Sequence, residues 1–215
     1  MSPKPLDRVA DRPVFAGFLI DSSGSMQPYQ KDVIDGHRLM LDTLRQAEDC
    51  HKKVLYVHQS LFADQPIPLN GFYPLDVAGN DEVVVLNDKN YKPNGNTAMF
   101  DAIISMAKDL ESHLEVTFKQ GFNPAARIAV ITDGRENKSR STQAEVQAVI
   151  ERLRGREWLE SSVVVGLKNA DFDEAKLEDL RVAIGFSQKI GLDRNPREIR
   201  RAFVLASRVG AGTAT

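Results

Sequence analysis

An α/β sandwich built on a mostly parallel sheet is the fold this sequence predicts, and three observations predict it. Short apolar runs read as strands: Val14–Ile20 (VFAGFLI) as one buried on both faces, Arg127–Thr132 (RIAVIT) as another buried strand, and Ser162–Leu167 (SVVVGL) as a strand. Longer stretches between them carry apolar residues at helical spacing. The two kinds of segment alternate along the chain, the pattern of strands joined by crossover helices.

Taken in order, residues 1–13 form a polar, Pro-rich arm, and the domain is expected to span 14–209. After the Val14–Ile20 strand, Pro28–Cys50 reads as a helix with Val33, His37, Met40, Leu44 and Ala47 on one stripe. Lys53–Phe62 alternates as a strand, and Val83–Leu86 reads as a short strand between polar turns. Thr97–Phe118 is a long helix with a stripe of Met99, Ile103, Met106, Leu110 and Leu114. The Arg127–Thr132 strand leads to a helix over Thr142–Arg154, ended by Gly155. The Ser162–Leu167 strand leads to a helix over Phe172–Ile184, ended by Gly185. Phe186–Leu192 is a weaker strand, and Pro196–Arg208 is a closing helix with proline at its start. Residues 210–215 (GAGTAT) read as a flexible tail.

Composition narrows the function. With 42% hydrophobic and 27% charged residues the chain is an ordinary globular one, and a net charge of −2 lacks the basic footprint of a nucleic-acid binder. No apolar run approaches the ~20 residues that span a bilayer, so no membrane partner is expected. Cys50 is the single cysteine, so no internal disulfide forms, and the expectation is a cytoplasmic protein. Oligomeric state is left open.

In a parallel α/β sheet, ligands bind beyond the carboxyl ends of the strands. The first strand ends in Asp21-Ser22-Ser23-Gly24-Ser25-Met26, which brings one carboxylate and two hydroxyls onto a tight turn that Gly24 helps the backbone make. The Arg127–Thr132 strand ends in Asp133-Gly134, a second carboxylate at a strand end. The Asn94–Thr97 loop brings Asn96 and the Thr97 hydroxyl to the start of the long helix. Hard oxygen donors of this kind suit Mg²⁺, with Mn²⁺ or Ca²⁺ as alternatives. Each segment alone has a plainer explanation. Asp and Ser are common turn residues and Thr97 is a natural helix N-cap, so the metal reading rests on their combination.

Together DSSGSM after a buried strand, GNTAMFDAI at a helix start and VITDG after a later strand resemble the metal-ion-dependent adhesion site of von Willebrand factor type A (vWA) domains. The resemblance covers residues 13–209 and is similar in type to stand-alone bacterial domains of the tellurite-resistance kind. It implies a three-layer, Rossmann-like sandwich with a six-stranded, doubly wound sheet and one antiparallel edge strand, which would be Val83–Leu86. It also implies Ser23, Ser25 and Thr97 as hydroxyl ligands, and Asp21 and Asp133 as carboxylates that act directly or through water. The last coordination position is left for an Asp or Glu of a protein partner.

Other residues are weighed around this set. Asp101, one turn into the long helix, either orients the Thr97 loop or a metal-bound water, or simply favours the helix N-terminus. Met26, Tyr29 and Phe100 are either partner contacts on the rim or core residues. Ser22, Asn96 and Gly134 flank the ligands. His37 sits on an apolar stripe and reads as a core histidine, and His51, His58 and His113 lack metal-ligand spacing. Arg135, Glu136 and Lys138 read as a solvated loop. The functional expectation is a non-enzymatic, metal-dependent adaptor. The alternative is Mg²⁺-dependent phosphoryl transfer, although Ser23 stands where a dehalogenase-type phosphatase carries its second Asp. No GxSxG elbow and no GxGxxG loop after the first strand support a serine hydrolase or a dinucleotide enzyme.

Overall fold

The computed structural model describes residues 12–47, 54–134 and 136–212. Cys50, His51, Lys53, Arg135 and nearly all of the expected arm (1–13) lie outside the described residues, as do 213–215 of the expected tail. Six strands form one sheet: β1 (Val14–Asp21), β2 (Leu55–Phe62), β3 (Pro66–Pro74), β4 (Ala125–Thr132), β5 (Leu159–Lys168) and β6 (Gln188–Asp193). Their order is β3-β2-β1-β4-β5-β6, and every neighbouring pair is parallel except β2 and β3. Among the described residues, five helices flank it: α1 (Gln30–Gln46), α2 (Met99–Lys119), α3 (Gln143–Gly155), α4 (Glu174–Ala183) and α5 (Pro196–Ala211).

The apolar runs fold as strands because both faces are covered. All eight residues of β1 are buried. Its Val14, Ala16, Phe18 and Ile20 join the core shared with α1 and α5, while Phe15 and Leu19 join the core under α2, α3 and α4. The helices are set by their caps as well as their stripes. Thr142 and Glu145 form a reciprocal capping box at α3, and Asn195 caps α5 ahead of Pro196. Helix α5 continues through Gly210 and Ala211, both buried, and closes on Gly212 in the left-handed region (φ 73°).

Three expectations need correction. The antiparallel edge strand is β3, not Val83–Leu86. Pro66, Pro68 and Pro74 masked β3 in the sequence, yet an edge strand is where a sheet tolerates a missing N–H. Val83–Leu86 forms no regular element, and its backbone groups are taken by side chains. Gln59 Nε2 donates to the Val84 carbonyl (2.9 Å), and the Val84 and Leu86 amides donate to Asn70 Oδ1 and His37 Nδ1 (both 3.3 Å). The third correction is at the first helix, which begins later than Pro28. Gly24–Tyr29 is a 3₁₀ turn and α1 starts at Gln30.

His37 is a fully buried core histidine, as its stripe position implied. It accepts from Leu86 at Nδ1, so Nε2 carries the proton and donates to Gln59 Oε1. Burial lowers its pKa from 6.5 to about 4, against the opposing bond to Gln59 and with the charges of Arg38 and Arg45 adding to the drop.

Candidate metal centre

The strand order reverses between β1 and β4. The chain leaves β1 through α1 on one face and leaves β4 through α3 on the other, so a crevice opens at the carboxyl ends of these two strands. Asp21 and Asp133 stand there, the last residue of β1 and the first after β4, and both are buried.

A continuous hydrogen-bonded chain joins four of the five expected ligands. Asp21 Oδ1 accepts from the Ser23 amide (2.8 Å). The hydroxyls of Ser23 and Ser25 lie 3.1 Å apart, and Ser25 Oγ donates to Asp133 Oδ1 at 2.7 Å. Thr97, the fifth, lines a cavity of about 270 Å³ together with Ser25, Asp133, Gly134 and Arg194.

Asp21 is starved of charge compensation. Its two oxygens are held by neutral donors, the Ser23 amide and, at 2.6 Å, the Thr132 hydroxyl. Burial pushes its pKa from 3.8 up to about 6; bonds from Ser23 and Thr132 resist, and the charge of Asp133 adds to the rise. A buried anion with a second carboxylate beside it and hydroxyls around it is the electrostatic setting that a hard divalent cation relieves. Among the described residues no group of three or more His, Cys, Asp or Glu comes together. The donors gathered here are hydroxyls and carboxylates, hard oxygen groups with no thiolate or imidazole among them.

The flanking residues sort themselves by contact. The Ser22 hydroxyl turns away to the Phe62 carbonyl (3.2 Å) and ties the loop to β2. Met26 is fully buried in the core, so it is no partner contact, while Tyr29 and Phe100 are half-buried and pack against the two cores. Asn96 donates through both its amide and its side chain to Asp64 Oδ1. The glycine that the turn needs is Gly95, at φ 82°, where an added Cβ would sit 2.6 Å from Asp64 Oδ2. Gly24 has no such conformation, and its amide donates to the Gly95 carbonyl at 3.0 Å.

Asp101 anchors the loop that follows β4. Its carboxylate accepts from the amides of Arg140 (3.0 Å) and Ser141 (2.9 Å). Glu136 is no free solvated side chain, since its Oε2 accepts from the Phe100 amide (2.8 Å) at the start of α2. Asn137 closes the clasp. Its Oδ1 accepts from the Thr97 amide (2.8 Å) and its own amide donates to the Thr97 carbonyl (3.1 Å). Thr97 is thus positioned by the Asp133 loop.

Sequence reasoning missed Thr132, Asn137, Asn169 and Arg194. Asn169 Nδ2 donates to the Asp133 carbonyl (2.7 Å), and Arg194 Nη1 donates to Asp133 Oδ2 (2.6 Å). The available signal was position. Thr132 ends β4, and Arg194 follows β6 on the rim where the ligands gather.

Comparison with solved structures decides the fold. The vWA domain of Catenulispora acidiphila superposes with a TM-score of 0.58 at 17% identity, over 90% of this chain and 42% of that one. The fold is that of a vWA domain. A manganese-loaded TRAP protein of Plasmodium vivax matches at a TM-score of 0.57 and 18% identity, over 91% of this chain and 75% of that one. A mutant of the PilB minor pilin of Streptococcus sanguinis gives a TM-score of 0.66 at 13% identity over 97% of this chain. The chain spans 64% of that pilin's length. No family model matches the sequence, and no curated protein matches it. Among the described residues no helix is long and apolar enough to cross a membrane.

Proposed function

We propose that this vWA domain is a metal-dependent protein-interaction module that recognises an acidic side chain of its partner. The observation that carries the proposal is the hydrogen-bonded chain from Asp21 through Ser23 and Ser25 to Asp133, whose Ser25 and Asp133 line one cavity with Thr97. Ser23, Ser25 and Thr97 would contribute neutral hydroxyl oxygens, and Asp21 and Asp133 the negative charge. When bound, Mg²⁺ or Mn²⁺ would supply an electrophilic centre for a partner's carboxylate oxygen. Thr132 and the Ser23 amide orient Asp21, and Asn137 holds Thr97 in place. The manganese carried by the TRAP protein, of the same fold, supports a divalent cation. A cytoplasmic setting belongs to the same proposal, on the ground of the single cysteine.

Phosphoryl transfer is the weaker reading. Asp21, the carboxylate it would need as a nucleophile, is fully buried with both oxygens engaged. A phosphatase assay in Mg²⁺ is expected to show no turnover.

The test is calorimetric titration of Mg²⁺ into the purified chain, followed by affinity capture of partners in Mg²⁺ and in EDTA. One weak site is expected, lost in Asp21→Ala and in the Ser23→Ala, Ser25→Ala double variant. A partner retained only in Mg²⁺ should depend on one of its own Asp or Glu residues. Binding of Mg²⁺ unchanged in Asp21→Ala would remove the basis of the proposal.

A further inference from the structure

The two site carboxylates are not treated alike by the fold. Asp21 is held by neutral donors, whereas Asp133 has a cation of its own. Arg194 Nη1 lies 2.6 Å from Asp133 Oδ2, and Ser25 Oγ occupies the other oxygen at 2.7 Å. The Asp133 side chain is fully buried and that of Arg194 is 28% exposed, so the pair sits at the inner wall of the cavity and is only partly screened by water.

Arg194 is placed firmly. It follows β6 directly, and its amide donates to the Lys168 carbonyl at the end of β5 (3.0 Å). Its carbonyl accepts from the Tyr29 hydroxyl (3.4 Å), and its guanidinium lies over the Tyr29 ring, 5.7 Å from the centroid. The aromatic face gives the cation a second favourable contact besides the carboxylate.

We infer that Arg194 is a built-in counter-cation of Asp133, which competes with a divalent cation for that carboxylate and so sets how tightly the centre holds metal. The inference rests on the metal reading proposed above. Two positive charges drawn to one buried carboxylate repel each other, and Asp133 cannot serve both at full strength. A cation entering the cavity must therefore weaken or break the ion pair with Arg194. Arg194 then stays beside the cavity over Tyr29. Metal affinity becomes a difference between two cations' hold on Asp133, instead of the sum of five oxygen donors. Asp21, with no such competitor, gives the metal its uncontested charge.

Calorimetry of Mg²⁺ at pH 7.5 on the full chain, Arg194→Met, Arg194→Lys and Asp21→Ala tests this. Arg194→Met should bind Mg²⁺ about tenfold more tightly than the wild type, the scale of one ion pair lost from the competition. Arg194→Lys, which keeps the charge but not the guanidinium geometry, should fall between them. Tighter binding by Arg194→Met, or binding by it alone, supports the inference. Equal or weaker binding by Arg194→Met, with Asp21→Ala inactive, overturns it and leaves the metal centre standing. No binding by any of the four chains defeats the metal centre itself and this inference with it. A second measurement covers a variant that fails to fold. In the wild type, the ¹⁵N guanidinium resonance of Arg194 should move as Mg²⁺ is added, and a resonance that stays put while metal binds refutes competition.

Discussion

Replacing Asp21 by Asn should stabilise the domain when metal is withheld, although it removes a proposed ligand. The sign follows from the raised pKa. An acid whose folded-state pKa lies above its unfolded value makes the native state hold on to protons, so stability is fully present below 3.8 and is lost as pH rises to about 6. At about 1.4 kcal/mol per pKa unit, the ionised Asp21 costs the fold about 3 kcal/mol at neutral pH. Asn keeps an oxygen for the Ser23 amide, and its amide group can donate to the Thr132 hydroxyl, so the local bonds survive the change. Urea unfolding in EDTA should show Asp21→Asn more stable than the wild type by about 2–3 kcal/mol at pH 7.5. The gap should close as pH falls through 6 towards 4, and saturating Mg²⁺ should narrow it at pH 7.5 by stabilising only the wild type. A variant that is no more stable at pH 7.5, or a gap that does not change with pH, would refute the claim that Asp21 is an uncompensated buried charge.

Three further outcomes are expected. His37 works in the opposite direction: its folded pKa lies near 4 against 6.5 unfolded, so stability is lost as pH falls between those values, by up to about 3 kcal/mol. Urea titrations in the Asp21→Asn background should show that slope, and His37→Asn should flatten it. Gly95→Ala should destabilise by about 1–3 kcal/mol, because the left-handed backbone and the Asp64 carboxylate both oppose a Cβ. Gly71→Ala, with open space around the new methyl, should change urea stability by less than about 0.5 kcal/mol. Asn137→Ala should speed hydrogen exchange at the Thr97 amide and cost about 1 kcal/mol in urea, since it removes the acceptor of that amide.

Much of this molecule was legible in the chain because its signals are local. The runs ending at Ile20 and Thr132 announce doubly buried strands, and the residues just beyond them must then lie on the carboxyl rim of the sheet. Strand β3 was hidden for a physical reason: a strand paired on one side only can carry three prolines and an Asn-Gly pair, which read as a loop. Thr132 and Arg194 were hidden for another. Each is defined by a hydrogen bond to a residue 111 or 61 positions away, and no periodicity encodes such a partner. The loop after β4 failed in the same way, since Glu136 and Asn137 look like solvated residues until α2 and Thr97 are brought against them.

The same topology explains why the proposed site would set stability and binding against each other. Neighbouring parallel strands in register, Ile20 beside Ile131, bring Asp21 against Thr132 and next to Asp133 in the one crevice that the reversal of strand order opens. Two carboxylates at that point repel each other and lose water, a cost that the sheet and its two cores bear. The fold neutralises one of them with Arg194 and leaves the other with neutral donors alone, which offset only part of the penalty. Had both carboxylates been paired with arginines, the crevice would be stable and indifferent to cations. Had neither been, the loops would carry two unrelieved charges. One compensated and one uncompensated carboxylate leave a site that still folds and that, under the function proposed above, would gain from a divalent cation, and the clasp between Asn137 and Thr97 keeps its loops in place.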